Sequence, residues 1–274
     1  MLILDEAMLL LLTALAVGVM GNLVGIGGGV LIMIVLLFVF KVSPVVASGM
    51  SLTTIVVSAT VGTMLNIRQE AVSRGVFSTI ALFASIGVVI GSVTSYFIST
   101  KPFEFLFGFV GVGIGIYSVA ATRRDRKLSD LDYSFSSLSK EKKGKKEDMA
   151  DKGGIWYMSA IAGYIAGLFG IGIGGIVGTY LTAIKGMNPK VAFSSVLAAM
   201  IVTSLVGSLL HFFKTGMGYS LALLMLALVV GASVGAAIGA LLSARIVSSR
   251  LRFMQGYIII SLGILALLSS ILTA

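Results

Sequence analysis

Two glycine-rich turns are the parts of this sequence that could bind a small ion through their main chain. Residues 25–29, with the sequence GIGGG, lie between the apolar segments 7–20 and 30–40, and residues 170–175 lie between 155–169 and 176–184. None of these segments is long enough as a helix to cross the roughly 30 Å of a hydrocarbon core. Irregular backbone is stable at that depth only inside the protein or beside a polar cavity. Each turn is therefore a candidate functional site.

The groups at these turns favour an anion. A helix that begins at a turn points its unpaired N–H groups and the positive end of its dipole at that turn. Serine hydroxyls in the next apolar segment could donate further hydrogen bonds, although such hydroxyls can instead bond to carbonyls of their own helix. The candidate substrate-binding residues are Gly27, Gly28, Gly29, Ser48, Ser51, Gly172, Gly174, Gly175, Ser194 and Ser195.

Other kinds of chemistry have few candidates. Asn66 and His211, the single histidine, are candidates for a gating or secondary role, and the alternative for His211 is a residue of the membrane interface. The chain has no cysteine, and its acidic residues lie in one charged stretch or at the ends of apolar segments. We therefore predict no metal site, no cofactor, no catalytic residue and no buried carboxylate relay, and we expect the protein not to be an enzyme.

The sequence is duplicated. A constant shift of 145 residues places Gly25 on Gly170, Pro44 on Pro189 and Asn66 on His211. After a gap of three residues the shift becomes 148 and continues to the end of the chain. Glycines at intervals of four, at 87 and 91 and at 231, 235 and 239, are typical of close helix crossings. Two long registers in the same order indicate two copies of one structural unit.

The composition is that of an integral membrane protein. Hydrophobic residues make up 57% of the chain, charged residues 11%, and the mean hydropathy is +1.07. The net charge of +9 does not indicate nucleic-acid binding, because ten of the 20 basic residues lie in the single stretch 122–154. The first six residues carry no basic residue, so we expect no cleaved signal peptide.

These patterns predict an all-α polytopic fold with two repeats, residues 1–121 and 155–274, joined by a charged linker, residues 122–154. Each repeat begins with a glycine-broken segment and continues with three transmembrane helices. If each broken segment is one span, the repeats are parallel and the basic residues divide 13 to 7 between the two sides. If it is a re-entrant hairpin, the repeats are inverted and the division is 17 to 3. The positive-inside rule favours the inverted arrangement, with the linker cytoplasmic and both termini outside.

The duplicated pattern resembles the TauE/SafE family of sulfite and organosulfonate exporters. The resemblance rests on a glycine turn followed, about 15 residues later, by the segment Pro44–Leu52, PVVASGMSL, and it covers nearly all of the chain outside the linker. It implies a permease of the cytoplasmic membrane that moves small sulfur-containing anions, such as sulfite or sulfoacetate, usually outward. The second copy departs from the pattern, since Ile173 interrupts its glycines and residues 193–195 read FSS.

We therefore expect alternating access around an anion held near the middle of the membrane. The expected partners are this anion and the lipid bilayer, without nucleic acid; a homodimer is left open, and the coupling ion is unknown. The alternatives are an importer or a carrier of another small anion, such as a carboxylate, and, more remotely, a membrane scaffold that acts through its basic linker.

Overall fold

A computed structural model describes residues 2–24, 28–67, 72–135, 153–215 and 219–243, and near the C-terminus 256–257, 259–261, 263–268 and 270. Every regular element in these residues is helical, and five of the helices are long and apolar enough to cross a membrane. The prediction of an all-α polytopic membrane fold is confirmed. Gly27 and most of the linker lie outside the described residues.

The first half contains two helices around the first glycine turn and then three long helices, in the predicted order. The first helix, with 23 residues, is longer than the predicted segment 7–20. Its helices are α1 (Leu2–Val24), α2 (Gly29–Ile34), which continues as a π-helical turn (Val35–Val39), α3 (Pro44–Ile67), α4 (Arg74–Ser95) and α5 (Thr100–Phe135). Pro44 is the first residue of α3, where its fixed φ angle and missing N–H group do not interrupt the helical hydrogen bonds. The helix α5 does not end at residue 121 but continues into the charged stretch as far as Phe135.

The second half repeats this order. Its helices are α6 (Ile155–Phe169), α7 (Gly174–Ala183), α8 (Pro189–Thr215) and α9 (Tyr219–Ser243), and a last short apolar helix follows (Ile259–Leu268). The five candidate spans lie in α3, α4, α5, α8 and α9. By the repeat register, α1 corresponds to α6, α2 to α7, α3 to α8 and α4 to α9.

The first helix of each half packs along a long helix of the other half. A Cβ built on Gly167 of α6 would lie 2.8 Å from the Cα of Val88 in α4, and one built on Gly235 of α9 would lie 2.9 Å from the main-chain nitrogen of Val19 in α1. Such close approach is possible only because glycine has no side chain. In both pairs residue numbers rise together along the contact, so the paired helices are parallel.

Corresponding long helices of the two halves run antiparallel to each other. Gly49 of α3 lies against His211 of α8, whereas Gly62, further along α3, lies against Leu197. The last short helix crosses α5 in the same sense, because Gly108 contacts Leu267 while Gly115 contacts Ile260. The buried apolar side chains form two clusters on either side of the central pair α3 and α8.

Candidate functional site

The second glycine turn, between α6 and α7, is buried and tightly wound. Gly170 (φ 68°) and Gly172 (φ 73°) have left-handed backbone conformations that residues with a Cβ rarely adopt. The N–H of Gly170 donates to the carbonyl of Ala166 at 2.8 Å and closes α6. Beyond the turn, the N–H of Val177 donates to the carbonyl of Ile173 at 3.0 Å and starts α7.

The first residues of α7 present free amide groups to the centre of the protein. Gly174, Gly175 and Ile176 are buried, and within the part of the chain that the structure describes their N–H groups have no hydrogen-bond acceptor. These groups, together with the positive end of the α7 dipole, favour a negatively charged ligand.

The first glycine turn is described from Gly28 onward. Gly28 has a φ of 70°, and its carbonyl accepts hydrogen bonds from Leu31 at 3.1 Å and Ile32 at 3.3 Å. A Cβ built on Gly28 would lie 2.6 Å from a methyl carbon of Val17, so α1 runs directly behind the turn. The helix α1 therefore passes beside the start of α2.

The two turns meet, and Ser51 of α3 lies between them. A Cβ built on Gly29 would lie 2.7 Å from the carbonyl oxygen of Ile171, so only a hydrogen atom fits at this contact. The hydroxyl oxygen of Ser51 lies 2.6 Å from the carbonyl oxygen of Gly170 and 3.3 Å from that of Gly29. Ser51 thus connects both turns to α3 through their main chain.

Ser48 lies one helical turn before Ser51 and contacts the same turn of the second half. A Cβ built on Gly170 would lie 2.6 Å from the Cα of Ser48 and 3.0 Å from its Cβ. Ser48 is completely buried, and among the described residues its hydroxyl has no hydrogen-bond partner. A buried hydroxyl without a partner destabilises a fold by roughly 1–3 kcal/mol, which makes it a candidate ligand-binding group.

The corresponding positions of the second half are different. The shift of 145 residues places Phe193 and Val196 where the first half has Ser48 and Ser51. Ser194 is buried in α8, and Ser195 donates to the carbonyl of Val191 at 2.8 Å and accepts a hydrogen bond from the N–H of Ser73 at 2.9 Å. The structure therefore brings Ser195 to the start of α4 and not to the glycine turns.

His211 lies inside the protein. Its side chain is completely buried, its Nε2 lies 2.9 Å from the carbonyl oxygen of Gly167 in α6, and its ring packs against that of Tyr96. The hydroxyl of Tyr96 donates to the carbonyl of Leu210. These contacts join α4, α6 and α8 beside the second glycine turn. Asn66 lies near the end of α3, and its side chain is outside the described part of the chain.

Asn22 was missed by the sequence analysis. It is 6% exposed in the last turn of α1, where its Nδ2 donates to the carbonyl of Gly18 at 3.3 Å. Its Oδ1 faces Gly62 of α3 and has no partner among the described residues. A single amide within the apolar segment before the glycine turn was the signal that could have identified it.

Charged side chains do not contribute to this junction in the described residues. Those with described side chains lie near or beyond the ends of helices or, for Arg123, at the end of the apolar span of α5; they are Lys41, Arg74, Lys101, Glu104, Arg123 and Lys185. The same residues contain no group of three or more His, Cys, Asp or Glu side chains that could hold a metal ion. The site is therefore built from main-chain amides, main-chain carbonyls and hydroxyls.

Comparison with known proteins shows the family. The sequence profile of the sulfite exporters TauE/SafE matches residues 10–266. The chain belongs to the TauE/SafE family. Among curated proteins, the "Probable membrane transporter protein YunE" of Bacillus subtilis (strain 168) is 25% identical over 232 residues, covering 82% of this chain and 84% of that protein. No solved structure gives a significant match.

Family membership and the apolar helices together establish the general function. The chain is a multi-pass membrane protein and a membrane transporter, as predicted. The resemblance to the TauE/SafE family that the duplicated glycine pattern indicated is confirmed over nearly the whole chain.

Proposed function

We propose that this transporter exports a small sulfur oxyanion, such as sulfite, sulfoacetate or a related organosulfonate, across the cytoplasmic membrane. The observation that carries the proposal is the buried first turn of α7, whose first three N–H groups have no acceptor among the described residues. The unpartnered hydroxyl of Ser48 against Gly170 is a second donor at the same place. Outward transport is supported by the family name alone.

The ligand in this proposal is a compact anion with several oxygens. Amides at a helix N-terminus and a hydroxyl donate to oxygens that diverge from one central atom, as in sulfite or a sulfonate. The junction is neutral in its described side chains, so the anion meets no repelling carboxylate there. A carboxylate carries one negative charge, as a sulfonate does, but has one oxygen fewer, and it remains the alternative ligand.

The proposed topology is two inverted repeats with the linker cytoplasmic and both termini outside. If α1 and α2 cross the membrane together, corresponding long helices of the two halves must be parallel. If they form a hairpin, those helices must be antiparallel, which agrees with the contacts of Gly49 with His211 and of Gly62 with Leu197. The 17-to-3 division of basic residues supports the same arrangement.

In the transport cycle that we propose, the two glycine turns close the pathway from opposite sides of the anion. Movement of one turn away from α3 opens the site to one side of the membrane. His211 holds the α6 arm through Gly167, and Asn22 lies at the corresponding position of the α1 arm, since residue 22 aligns with residue 167. We assign these two residues a role in gating, and Asn66 remains a candidate through its alignment with His211.

Replacement of Ser48 with alanine tests the anion site. We expect the affinity of the purified protein for sulfite to fall about tenfold, because a hydrogen bond to a charged group contributes roughly 1.5–3 kcal/mol. The free energy of unfolding should not decrease, since the substitution removes a buried hydroxyl without a partner. Ligand-induced shifts of the melting temperature measure both quantities.

Ser159→Ala is the matched control. Ser159 of α6 is also completely buried with an unpartnered hydroxyl among the described residues, but it lies more than two helical turns before the glycine turn. Its replacement should leave sulfite affinity unchanged. Equal sulfite affinity in the wild type and Ser48→Ala would contradict the proposed site, and stabilisation by acetate or lactate instead of sulfite would replace the substrate class.

A further inference from the structure

We propose that the helices α1 and α9 move together during transport, against a fixed frame formed by α3, α4, α6 and α8. This inference rests on the proposed function, because it names the half of the molecule that moves when the anion site opens. Neither the family profile nor the relative's name assigns a moving part.

Side-chain hydrogen bonds connect α4, α6 and α8. His211 of α8 and Ser92 of α4 both lie against the carbonyl oxygen of Gly167 in α6, with Nε2 at 2.9 Å and Oγ at 3.4 Å. The hydroxyl of Tyr96 in α4 donates to the carbonyl of Leu210 in α8. These bonds tie the three helices to one another near the end of α6.

The helix α3 is connected to the same three helices. The hydroxyls of Thr53 in α3 and Ser208 in α8 are hydrogen-bonded to each other. Ser51 of α3 donates to the carbonyl of Gly170, at the end of α6, at 2.6 Å. Movement of these helices relative to one another would leave buried polar groups without partners, which is unfavourable. The four helices therefore form the frame.

The helices α1 and α9 are held together by their main chains. The glycines at 231, 235 and 239 of α9 would each place a Cβ against a carbonyl oxygen of α1, so the two helices pack at close range. The described polar side chains of this pair, Thr13, Asn22 and Ser233, donate to carbonyls of their own helices. Close packing thus keeps the pair together, and these donors do not tie it to the frame.

The two repeats differ at the residues that connect the frame. Three hydroxyl donors of the frame align with residues that have no hydroxyl. They are Ser92, Ser51 and Thr53, which align with Ala240, Val196 and Ala198. The side-chain hydrogen bonds that these donors make therefore have no counterpart at the aligned positions. Thr63, which aligns with Ser208, is buried, and its hydroxyl has no partner among the described residues.

The contact between α1 and the frame contains an unsatisfied polar group. The Oδ1 of Asn22 faces Gly62 of α3 and has no hydrogen-bond partner in the part of the chain that the structure describes. A buried acceptor without a donor destabilises this contact, and movement of α1 away from α3 would expose the acceptor to water. Opening between α1 and α3 is therefore favoured over opening between α6 and α3, which would break the bond from Ser51 to Gly170.

Disulfides between paired cysteines test which contact moves, and the chain has no native cysteine to interfere. A Cβ built on Gly62 would lie 3.3 Å from Asn22 Cγ, so Asn22→Cys with Gly62→Cys can link α1 to α3. This disulfide should abolish sulfite transport in proteoliposomes, and a reductant should restore it. The matched control is Thr53→Cys with Ser208→Cys, which links α3 to α8 inside the frame and should transport sulfite equally well oxidised and reduced.

Alkylation measures the same movement without a substrate. Asn22 and Ser92 are both buried, with 6% and 0% of their surfaces exposed, but Asn22 lies where α1 meets the frame and Ser92 lies inside the frame. In the purified full-length protein, Asn22→Cys should react faster with N-ethylmaleimide than Ser92→Cys does. Equal rates, or a faster reaction of Ser92→Cys, would overturn the inference.

The two tests separate this inference from the proposed function. If the wild type does not transport sulfite, the proposed function fails, and the alkylation rates decide which helices move. If the wild type transports sulfite but the disulfide between residues 22 and 62 has no effect, the moving pair is wrong and the anion site stands. Loss of transport through the disulfide between residues 53 and 208 would equally contradict a fixed frame. Should the variant with cysteines at 22 and 62 stay inactive after reduction, the alkylation rates again decide.

Discussion

Ser48 and Ser51 lie one turn apart on α3, yet their hydroxyls have different surroundings. Ser51 bonds to the main chain of the glycine turns, whereas the hydroxyl of Ser48 has no partner among the described residues. The sequence predicted that both serines lie near the turns, because both follow Pro44 within the repeated segment. It could not distinguish their roles, since a difference of one helical turn decides which hydroxyl reaches a carbonyl.

The same limit explains the outcome for Ser195 and Asn22. Ser195 was a candidate because it follows Pro189 at nearly the same distance as Ser51 follows Pro44, but it aligns with Met50 and faces the start of α4. Asn22 lies just before the first glycine turn, where only glycines were predicted to bind the substrate. A position on a helix face depends on register to a single residue.

Gly29→Ala tests whether transport requires the close contact between the two glycine turns. Gly29 has no positive φ angle, so alanine is compatible with its backbone, but the new Cβ would lie 2.6 Å from Ile55 Cδ1 and 2.7 Å from the Ile171 oxygen. We expect the turns to separate, with sulfite transport into or out of proteoliposomes reduced at least about tenfold, and stability lowered by roughly 1–3 kcal/mol.

Gly113→Ala is the control for this substitution. Gly113 lies in α5, and a Cβ built there would have no neighbour within 4 Å. Transport and stability should match the wild type. If Gly29→Ala transports sulfite as well as Gly113→Ala does, close contact of the turns is not required for transport.

At the level of helices, the glycines at intervals of four lie at close helix crossings, as their spacing predicted. Gly87 and Gly91 of α4 lie against α6, and the three glycines of α9 lie against α1. The spacing predicted that these glycines lie at helix crossings. It did not identify the partner helix, because a helix face of small residues can pack closely against many other helices. The exchange of partners between halves follows from the tertiary fold alone.

Gly167→Ala tests one of these crossings. Its Cβ would lie 2.8 Å from the Cα of Val88 and even closer to the Val88 carbonyl, and neither main-chain atom can move aside without displacing α4. We expect a loss of roughly 1–3 kcal/mol of stability, measured as a lower melting temperature in detergent. Gly75→Ala, in the first turn of α4 with nothing within 4 Å of its Cβ, should leave the melting temperature unchanged or raise it.

For the whole molecule, the class of fold and the order of elements were predictable from composition and duplication. The boundary of the linker was not, because α5 continues as helix through charged residues that carry no apolar periodicity. Helix propensity extends a helix that has already begun. The orientation of the two halves in the membrane remains a prediction. It places Lys41 outside the cell and Lys185 on the cytoplasmic side.

Labelling of single cysteines tests this orientation, and the absence of native cysteines makes the background clean. Lys41 and Lys185 follow the two glycine-broken segments and differ by one position in the repeat register, since Lys185 aligns with Phe40. In Lys41→Cys cells a membrane-impermeant maleimide should react from outside, whereas Lys185→Cys should react only after permeabilisation. Reaction of both from the same side would mean that the halves are parallel.

The pairing of helices across the two halves also sets an order for biosynthesis. When α6 leaves the ribosome, its partner α4 is already made, but α1 must wait for α9, about 220 residues later. At roughly 5–20 residues per second, this delay is on the order of 10–40 s. During that time the face of α1 that later receives the α9 glycines, at Leu11, Leu15 and Val19, has only lipid, the insertion machinery or a chaperone to contact. The first half of the chain is thus synthesised as an unfinished structure that the second half completes.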